Sequence, residues 1–345
     1  MPYFLYMAGS MGGSILSATT PSTSVPIGTG PFQVIENTNN QLRLKVFASF
    51  FRTRPFLDEI MMYFFPQLYD NQSSSVAERK PTNFYQYPYT NSTPHYRQKT
   101  AVDNGSKLLT LNGDRGKLAK DPFLREAVFH LLKPEKMIKQ LQGNRYAPAS
   151  RLIQSTENAS LLYRSVSSRK KLLNSSSYNG KTFHLYSYHG AGNELDGKWI
   201  QQELGNAGIK VALHFLPFEE LVRQDLSKAD MLLGEQLADE SRLLTYLSFF
   251  HGSQSLAAHH LPDWNRERLE CLTSEGLTEQ AFIMRLQQEE ANLCLTHYYV
   301  FLYRLKQYAM YPDYVESIEF NALGWVDYTK LWYDFFSSQQ GGKNE

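Results

Sequence analysis

At 345 residues the chain is longer than an average domain, so two lobes are expected. It is 42% hydrophobic and 20% charged, enough for real cores and too polar for an integral membrane protein. Lys+Arg 35 against Asp+Glu 34 leaves a formal charge of +1, which excludes the strongly basic balance of a chain devoted to nucleic acid.

Met1 to Val25 is rich in Gly, Ser and Thr and reads as a short apolar segment followed by a loop. No Lys or Arg precedes Arg43, so the positive region of a secretory signal is missing. The chain is therefore expected to be cytosolic or to begin inside a larger protein. Gly28 and Gly30 can take positive φ, and Pro31 fixes the entry into a strand. Phe32 to Glu36 and Gln41 to Phe47 alternate around Asn37-Thr-Asn-Asn, a hairpin signal, and Asp58 to Phe65 is a further strand. Gln67 to Asn104 is polar and rich in Tyr and Pro, and reads as loop with one strand at most.

Leu108 to Leu111 reads as a buried strand. Asp121-Pro122 is a helix start, since the carboxylate can cap and proline suits the first turn. Phe123, Ala127, Val128, Leu131 and Leu132 form the apolar face. Pro134 stops that helix and opens another, ended by Gly143. Ser165 to Asn179 reads as a serine-rich link, and the basic run Arg169-Lys170-Lys171 as solvated.

From Thr182 to Gly234, strands (Thr182 to Ser187, Ile209 to Phe215, Asp230 to Leu233) alternate with helices (Asp196 to Ala207, Pro217 to Leu226). That β-α-β-α-β order builds a parallel sheet, whose ligands sit beyond the carboxyl ends of the strands. Leu277 to Cys294 is helical, with Ala281, Met284, Leu286 and Ala291 toward a core, and Val315 to Leu323 alternates like a strand.

No Gly-x-Ser-x-Gly elbow, Walker loop or His-Glu-x-x-His occurs. Gly28-Thr29-Gly30 is too short for a dinucleotide fingerprint. Cys271 and Cys294, the only cysteines, lack metal or redox spacing. His259-His260 reads as a surface pair, and Glu219-Glu220 and Glu289-Glu290 as adjacent helix residues whose side chains diverge. Neither catalysis, nor a cofactor, nor a metal is expected. Asn112 and Arg115 follow one strand; Glu235, Gln236 and Asp239 follow another. Position alone leaves two readings for them, ligand contacts or loop caps.

PIGTGPFQVIEN followed by PFLDEIMMYFFP resembles the signature of family 5 extracellular solute-binding proteins, the oligopeptide- and dipeptide-binding class. LLTLNGDRGKLAKDPFLREAVFHLLKPEKMI and GIKVALHFLPFEELVRQDLSKADMLLG are similar to further blocks of that family, in the same order. The Ala-Asp-Met-Leu-Leu-Gly-Glu stretch and FNALGWVDYTKLWY resemble the C-terminal solute-binding part of SgrR-type transcriptional regulators, which sense sugar-phosphate stress.

The resemblance implies an α/β, two-lobed, type II periplasmic-binding-protein architecture with an incomplete first lobe. Met1 to Ser106 with Thr296 to Glu345 would be the remnant of lobe one, and Lys107 to Leu295 lobe two, with crossings near Gly105 and Leu295. It implies a non-enzymatic, cytoplasmic ligand-sensing domain. A sugar phosphate or a peptide would bind between lobes against Asn112, Arg115, Glu235, Gln236 and Asp239, and Arg115 would pair an anionic group.

DNA would be reached only through a winged-helix domain that this chain lacks, and no membrane insertion is expected. A homodimer covering the aromatic surface is expected, since Phe, Trp and Tyr make up 14% of residues. The rival is the oligopeptide-binding component of an ABC transporter, exported in that case, and the third reading is an enzyme using the same cleft. Two departures matter: Lys133 stands where the family has a capping Asp, and the Trp of transport members is replaced near Gln236. Asp239 falls where peptide-binding members place the carboxylate that meets the ligand's amino terminus.

Overall fold

The computed structural model describes residues 28–38, 41–63, 96–102, 105–153, 166–238, 241–321 and 324–334. The expectations for Met1 to Val25 and for most of Gln67 to Asn104 lie outside them. Among the described residues no helix is long and apolar enough to cross a membrane. The chain divides into two compact units, one made of Met1–Ala101 and Gln307–Glu345, the other of Val102–Lys306. Sequence placed the crossings near Gly105 and Leu295. The later second bound follows from a long strand, Tyr299–Pro312, whose first part pairs inside the second unit.

In the first unit, alternation builds an antiparallel sheet of β1 (Phe32–Asn37), β2 (Gln41–Val46) and β3 (Glu59–Tyr63). Thr38 closes the hairpin, its amide donating to the Gln41 carbonyl at 2.8 Å. Register puts Val34 beside Leu44 and Leu44 beside Ile60, an apolar face. Arg43 and Glu59 pair at 2.6 Å on the exposed side. Neither Gly28 nor Gly30 takes a positive φ, contrary to expectation.

β4 (Tyr96–Val102) neighbours the long strand. Over the described part of the expected strand from Val315 to Leu323 the pairing is not continuous: Val315–Glu316 pairs with Trp332–Tyr333, and Phe320 bridges Val326. Val315, Ile318, Val326 and Leu331 turn inward together and form a small core instead.

The second unit holds β5 (Ser106–Leu111), β6 (Arg145–Pro148), β7 (Phe183–Tyr188), β8 (Val211–Leu216), β9 (Met231–Gln236) and the first part of β10 (Tyr299–Pro312). Its sheet order is β10-β5-β9-β7-β8, with β6 against β10. The β-α-β-α-β segment folds as read, with β7 parallel to both β8 and β9. The sheet as a whole is mixed: β5 runs antiparallel to both β9 and β10. Every position of SKLLTL is buried, so this strand is covered on both faces.

Asp121 caps α2 (Pro122–Leu131), following the short α1 (Gly116–Lys120); its Oδ1 accepts from the Leu124 amide at 3.0 Å. Burial acts to raise the Asp121 pKa, but the amides of Ser177 and Leu124 outweigh it and hold the carboxyl below its ordinary range. Leu124, Ala127 and Val128 are buried, whereas Phe123, expected inside, is half exposed. α3 (Pro134–Leu141) starts at Lys133, which makes no side-chain cap, and ends in the left-handed pair Gln142 and Gly143. The serine-rich link contains a helix, α4 (Val166–Ser175). Serine disfavours it locally, but α4 packs on α2, where Arg169 donates to the His130 carbonyl at 3.2 Å.

α5 (Asn193–Asn206) follows β7 and α6 (Phe218–Arg223) follows β8. α7 (Arg242–His251), α8 (Leu256–His259), α9 (Asp263–Ser274) and α10 (Glu279–Leu295) complete the unit. On α10 the inward face is Phe282, Ile283, Leu286 and Leu293; Met284, expected inside, is exposed. Cys271 and Cys294 are both free.

Candidate functional site

The carboxyl ends of β7 and β9 lie at one edge of the second unit's sheet. Because β5 is antiparallel, its first residues reach the same edge: Ser106 stands opposite Gln236 and Lys107 opposite Glu235. The loop leaving β7 carries three consecutive left-handed residues, Gly190 (φ 88°), Ala191 (φ 50°) and Gly192 (φ 73°). Two glycines adopt this conformation freely, and the alanine between them is held there at a cost. The loop is fixed by Glu194, whose Oε1 accepts from the Gly190 amide at 3.0 Å and lies 3.1 Å from His189 Nδ1. The result turns the Ala191 carbonyl toward Lys107, whose Nζ donates to it at 3.2 Å.

Lys107 is fully buried, so its charge needs partners. Glu235 Oε2 lies 3.5 Å from its Nζ, and Asp196 Oδ2 lies 3.9 Å away. Asp196, also fully buried, sits in the first turn of α5, where the helix dipole favours a carboxylate. Arg145 from β6 donates to its Oδ1 through Nε at 2.9 Å and lies 2.7 Å away through Nη2; the Tyr303 hydroxyl donates to Oδ2. Burial, then the Asp196 charge, pushes the Tyr303 pKa far up, so the phenol stays a donor. Two buried atoms here accept no hydrogen bond from the described residues, Glu235 Oε2 and Asn193 Oδ1. The Asn193 amide nitrogen is used, donating to the Tyr188 carbonyl at 3.0 Å.

Of the residues singled out from sequence, Glu235 and Gln236 stand at this edge, and Asp239 lies outside the described residues. Asn112 and Arg115 are at the opposite edge, because β5 ends where β9 begins: Leu111 pairs with Met231. About 17 Å of extended strand separates the two groups. The four described residues therefore do not converge on one place. Asn112 acts as a loop cap, its Oδ1 accepting from the amides of Asp114 and Arg115 at 3.0 and 2.9 Å, its Nδ2 donating to the Ala229 carbonyl at 2.8 Å. Arg115 is exposed beside Asp114, 3.3 Å away.

Gly113 follows, with its amide donating to the His260 carbonyl. An added Cβ there would meet that carbonyl oxygen and the Pro262 nitrogen, both at 2.7 Å. Gly113→Ala should cost about 1–3 kcal/mol in a urea unfolding curve, since neither backbone atom can yield cheaply.

Of the histidine pair only His259 is at the surface. His260 is buried, with Nδ1 3.0 Å from the Thr110 hydroxyl, and burial lowers its pKa to about 3. Glu289 and Glu290 diverge on α10 as expected, Glu289 meeting Asn265 and Arg268 and Glu290 meeting the Leu152 amide and the Tyr246 hydroxyl, and both are buried. Sequence reasoning did not single out Lys107, Arg145, Asn193 or Tyr303, and it used Asp196 only as a helix start. The available signal was a lysine inside the apolar strand SKLLTL, where a charge has no reason to sit without a partner.

A family model described as "Bacterial extracellular solute-binding proteins, family 5 Middle" matches residues 2–257. The chain is 24% identical over 316 residues to "Uncharacterized protein YhjP" of Bacillus subtilis (strain 168), covering 88% of this chain and 51% of the relative. It is 22% identical over 316 residues to "HTH-type transcriptional regulator SgrR" of Yersinia enterocolitica, covering 89% and 51%. It thus spans about half the length of these curated relatives. Among solved structures, the oligopeptide-binding protein AppA from Bacillus subtilis, in complex with a nonapeptide, superposes with a TM-score of 0.68 at 18% identity, covering 88% of this chain and 66% of that one. That likeness shows the fold, the α/β architecture of type II periplasmic binding proteins. With most of its length matched by the family model, the chain belongs to the bacterial extracellular solute-binding proteins of family 5.

Proposed function

We propose that this chain binds a small solute at the carboxyl-end edge of the second unit's sheet and senses it without transforming it, as the ligand-sensing part of an SgrR-like regulator. The observation that carries the reading is a pair of buried oxygens: Asn193 Oδ1 accepts no hydrogen bond among the described residues, and Glu235 Oε2 has no hydrogen bond there beyond the Lys107 ammonium 3.5 Å away. Buried acceptors are rarely left unpaired, so a solute offering hydroxyl or ammonium donors is the partner that fits them. Lys107 beside them adds a cation for an anionic group on the same solute. Family membership supports solute binding, and the SgrR relatives support a sensing role in the cytoplasm, with DNA contacted through another part of such a protein.

The test is calorimetry of the chain with sugar phosphates and with di- to pentapeptides. Saturable heat with one class is expected, and Glu235→Gln should weaken it at least tenfold by replacing one carboxylate oxygen with a donor. Absence of saturable heat with both classes overturns the proposal, and so does an unchanged affinity in the variant. The solute should be recovered intact after incubation; turnover would favour an enzyme. The likeness to AppA favours a second reading, the peptide-binding component of an ABC transporter, and binding of peptides with no response to sugar phosphates would select it.

A further inference from the structure

At the opposite edge of the second unit's sheet, where β5 ends and β9 begins, lies a cavity of about 300 Å³. Three segments wall it. The turn after β5 supplies Asn112 and Asp114, the turn after α6 supplies Gln224 and Asp225, and the ends of α8 and α9 supply His259 and Arg266. These walls are tied to one another through the backbone. The Asn112 amide donates to the Asp230 carbonyl at 2.9 Å, the Gly113 amide to His260 at 3.1 Å and the Ala229 amide to Leu226 at 3.0 Å. Arg266 is held by its own Nη2, which donates to the Leu261 carbonyl at 3.2 Å. The cavity is therefore preformed, and its volume matches the small end of ligand sites.

The charges select the occupant. Arg266 makes no ion pair among the described residues, so its remaining donors can meet a carboxylate. Asp114 and Asp225 would repel a phosphate dianion, and Arg266 would repel a simple cation. No group of three metal-ligating side chains converges among the described residues. His259 adds little charge at neutral pH, because burial and the nearby Arg266 charge hold its pKa below the ordinary value. The lining brings one cation, Arg266, and two carboxylates; Asp114 also has Arg115 3.3 Å away, and Asp225 makes no ion pair with Arg266. In a space for about ten heavy atoms that arrangement is complementary to a small zwitterion.

We infer that this cavity is a second ligand site, separate from the Glu235 edge, that takes a free α-amino acid. Arg266 binds its carboxylate, and Asp114 and Asp225 bind its ammonium. This inference does not rest on the proposed function, since the two sites share no residue.

The experiment is calorimetric titration of the full chain with each of the twenty free amino acids at physiological ionic strength. One or a few should bind saturably, and their N-acetyl and amide derivatives should not. Arg266→Ala and Asp225→Asn, both at exposed positions, should each weaken binding at least tenfold while leaving the melting temperature unchanged. Glu235→Gln should leave amino-acid affinity as it was. The inference falls if none of the twenty binds below millimolar concentration, or if inorganic phosphate or calcium binds as tightly as any of them. It falls equally if Glu235→Gln, rather than Arg266→Ala, removes the binding.

Discussion

Asp196→Ala should lower the stability of the second unit by about 3–5 kcal/mol, the range for removing one partner of a buried ion pair. Asp196 is fully buried and meets Arg145, Lys107 and the Tyr303 hydroxyl. Its loss leaves two buried cations facing each other, with only the partly exposed Glu235 to balance them. In the parent protein burial would lower the Arg145 pKa, and its partners Tyr303 and Asp196 leave it raised. With Asp196 gone the guanidinium still keeps its proton, as arginine does in proteins, so the cation cannot escape by neutralising. Urea unfolding measures the cost. Adding Lys107→Met to Asp196→Ala should recover part of it, because one of the stranded charges is then gone. A loss under 1 kcal/mol for Asp196→Ala would show that water reaches the cluster and that its burial is not what holds the loop after β7.

Local pattern made the segment from β7 to β9 legible to within one or two residues at most ends. β7 alternates buried and half-buried along its whole length, and glycines and prolines punctuate the connections. The direction of β5 was not legible. A strand buried on both faces has no alternation to distinguish it, and whether it runs with or against its neighbours depends on connections far away in the chain.

That single ambiguity grouped Asn112 and Arg115 with Glu235 and Gln236, although they stand at the opposite edge of the sheet. α4 was hidden for a different reason: its serines oppose a helix locally, and its support comes from α2, over thirty residues earlier. The charged cluster was hidden because its members come from β5, β6, α5 and β10, and no spacing in the sequence records their meeting. Only the lysine in SKLLTL, out of character for a buried strand, pointed to it.

Arg304→Met should cost about 3–5 kcal/mol and also change how stability depends on pH. The buried guanidinium donates to three carbonyls: Gly105 at 3.1 Å, Leu152 at 3.3 Å and Arg151 at 3.0 Å. Glu290, fully buried on α10, accepts from the Leu152 amide and from the Tyr246 hydroxyl, the latter at 2.8 Å. The Leu152 residue is thus clamped on both its amide and its carbonyl, by one charge of each sign. Burial raises the Glu290 pKa; the donors and the charges of Arg151 and Arg304 reduce that rise without cancelling it.

The folded state therefore holds this proton more tightly than the unfolded chain. Stability is fully present below the ordinary glutamate pKa and is lost as pH rises through the raised one, at a limiting slope of about 1.4 kcal/mol per pH unit. Glu290→Gln removes that slope, so the variant should gain on the parent protein steadily from about pH 4.5 upward. Arg304→Met takes away a charge that favours the carboxylate, so its own decline should extend to higher pH. Urea curves from pH 4 to 8 read all three proteins together, with every other titrating group common to them. Parallel curves for Glu290→Gln and the parent would mean that Glu290 holds no extra proton in the folded state and that burial does not govern its titration.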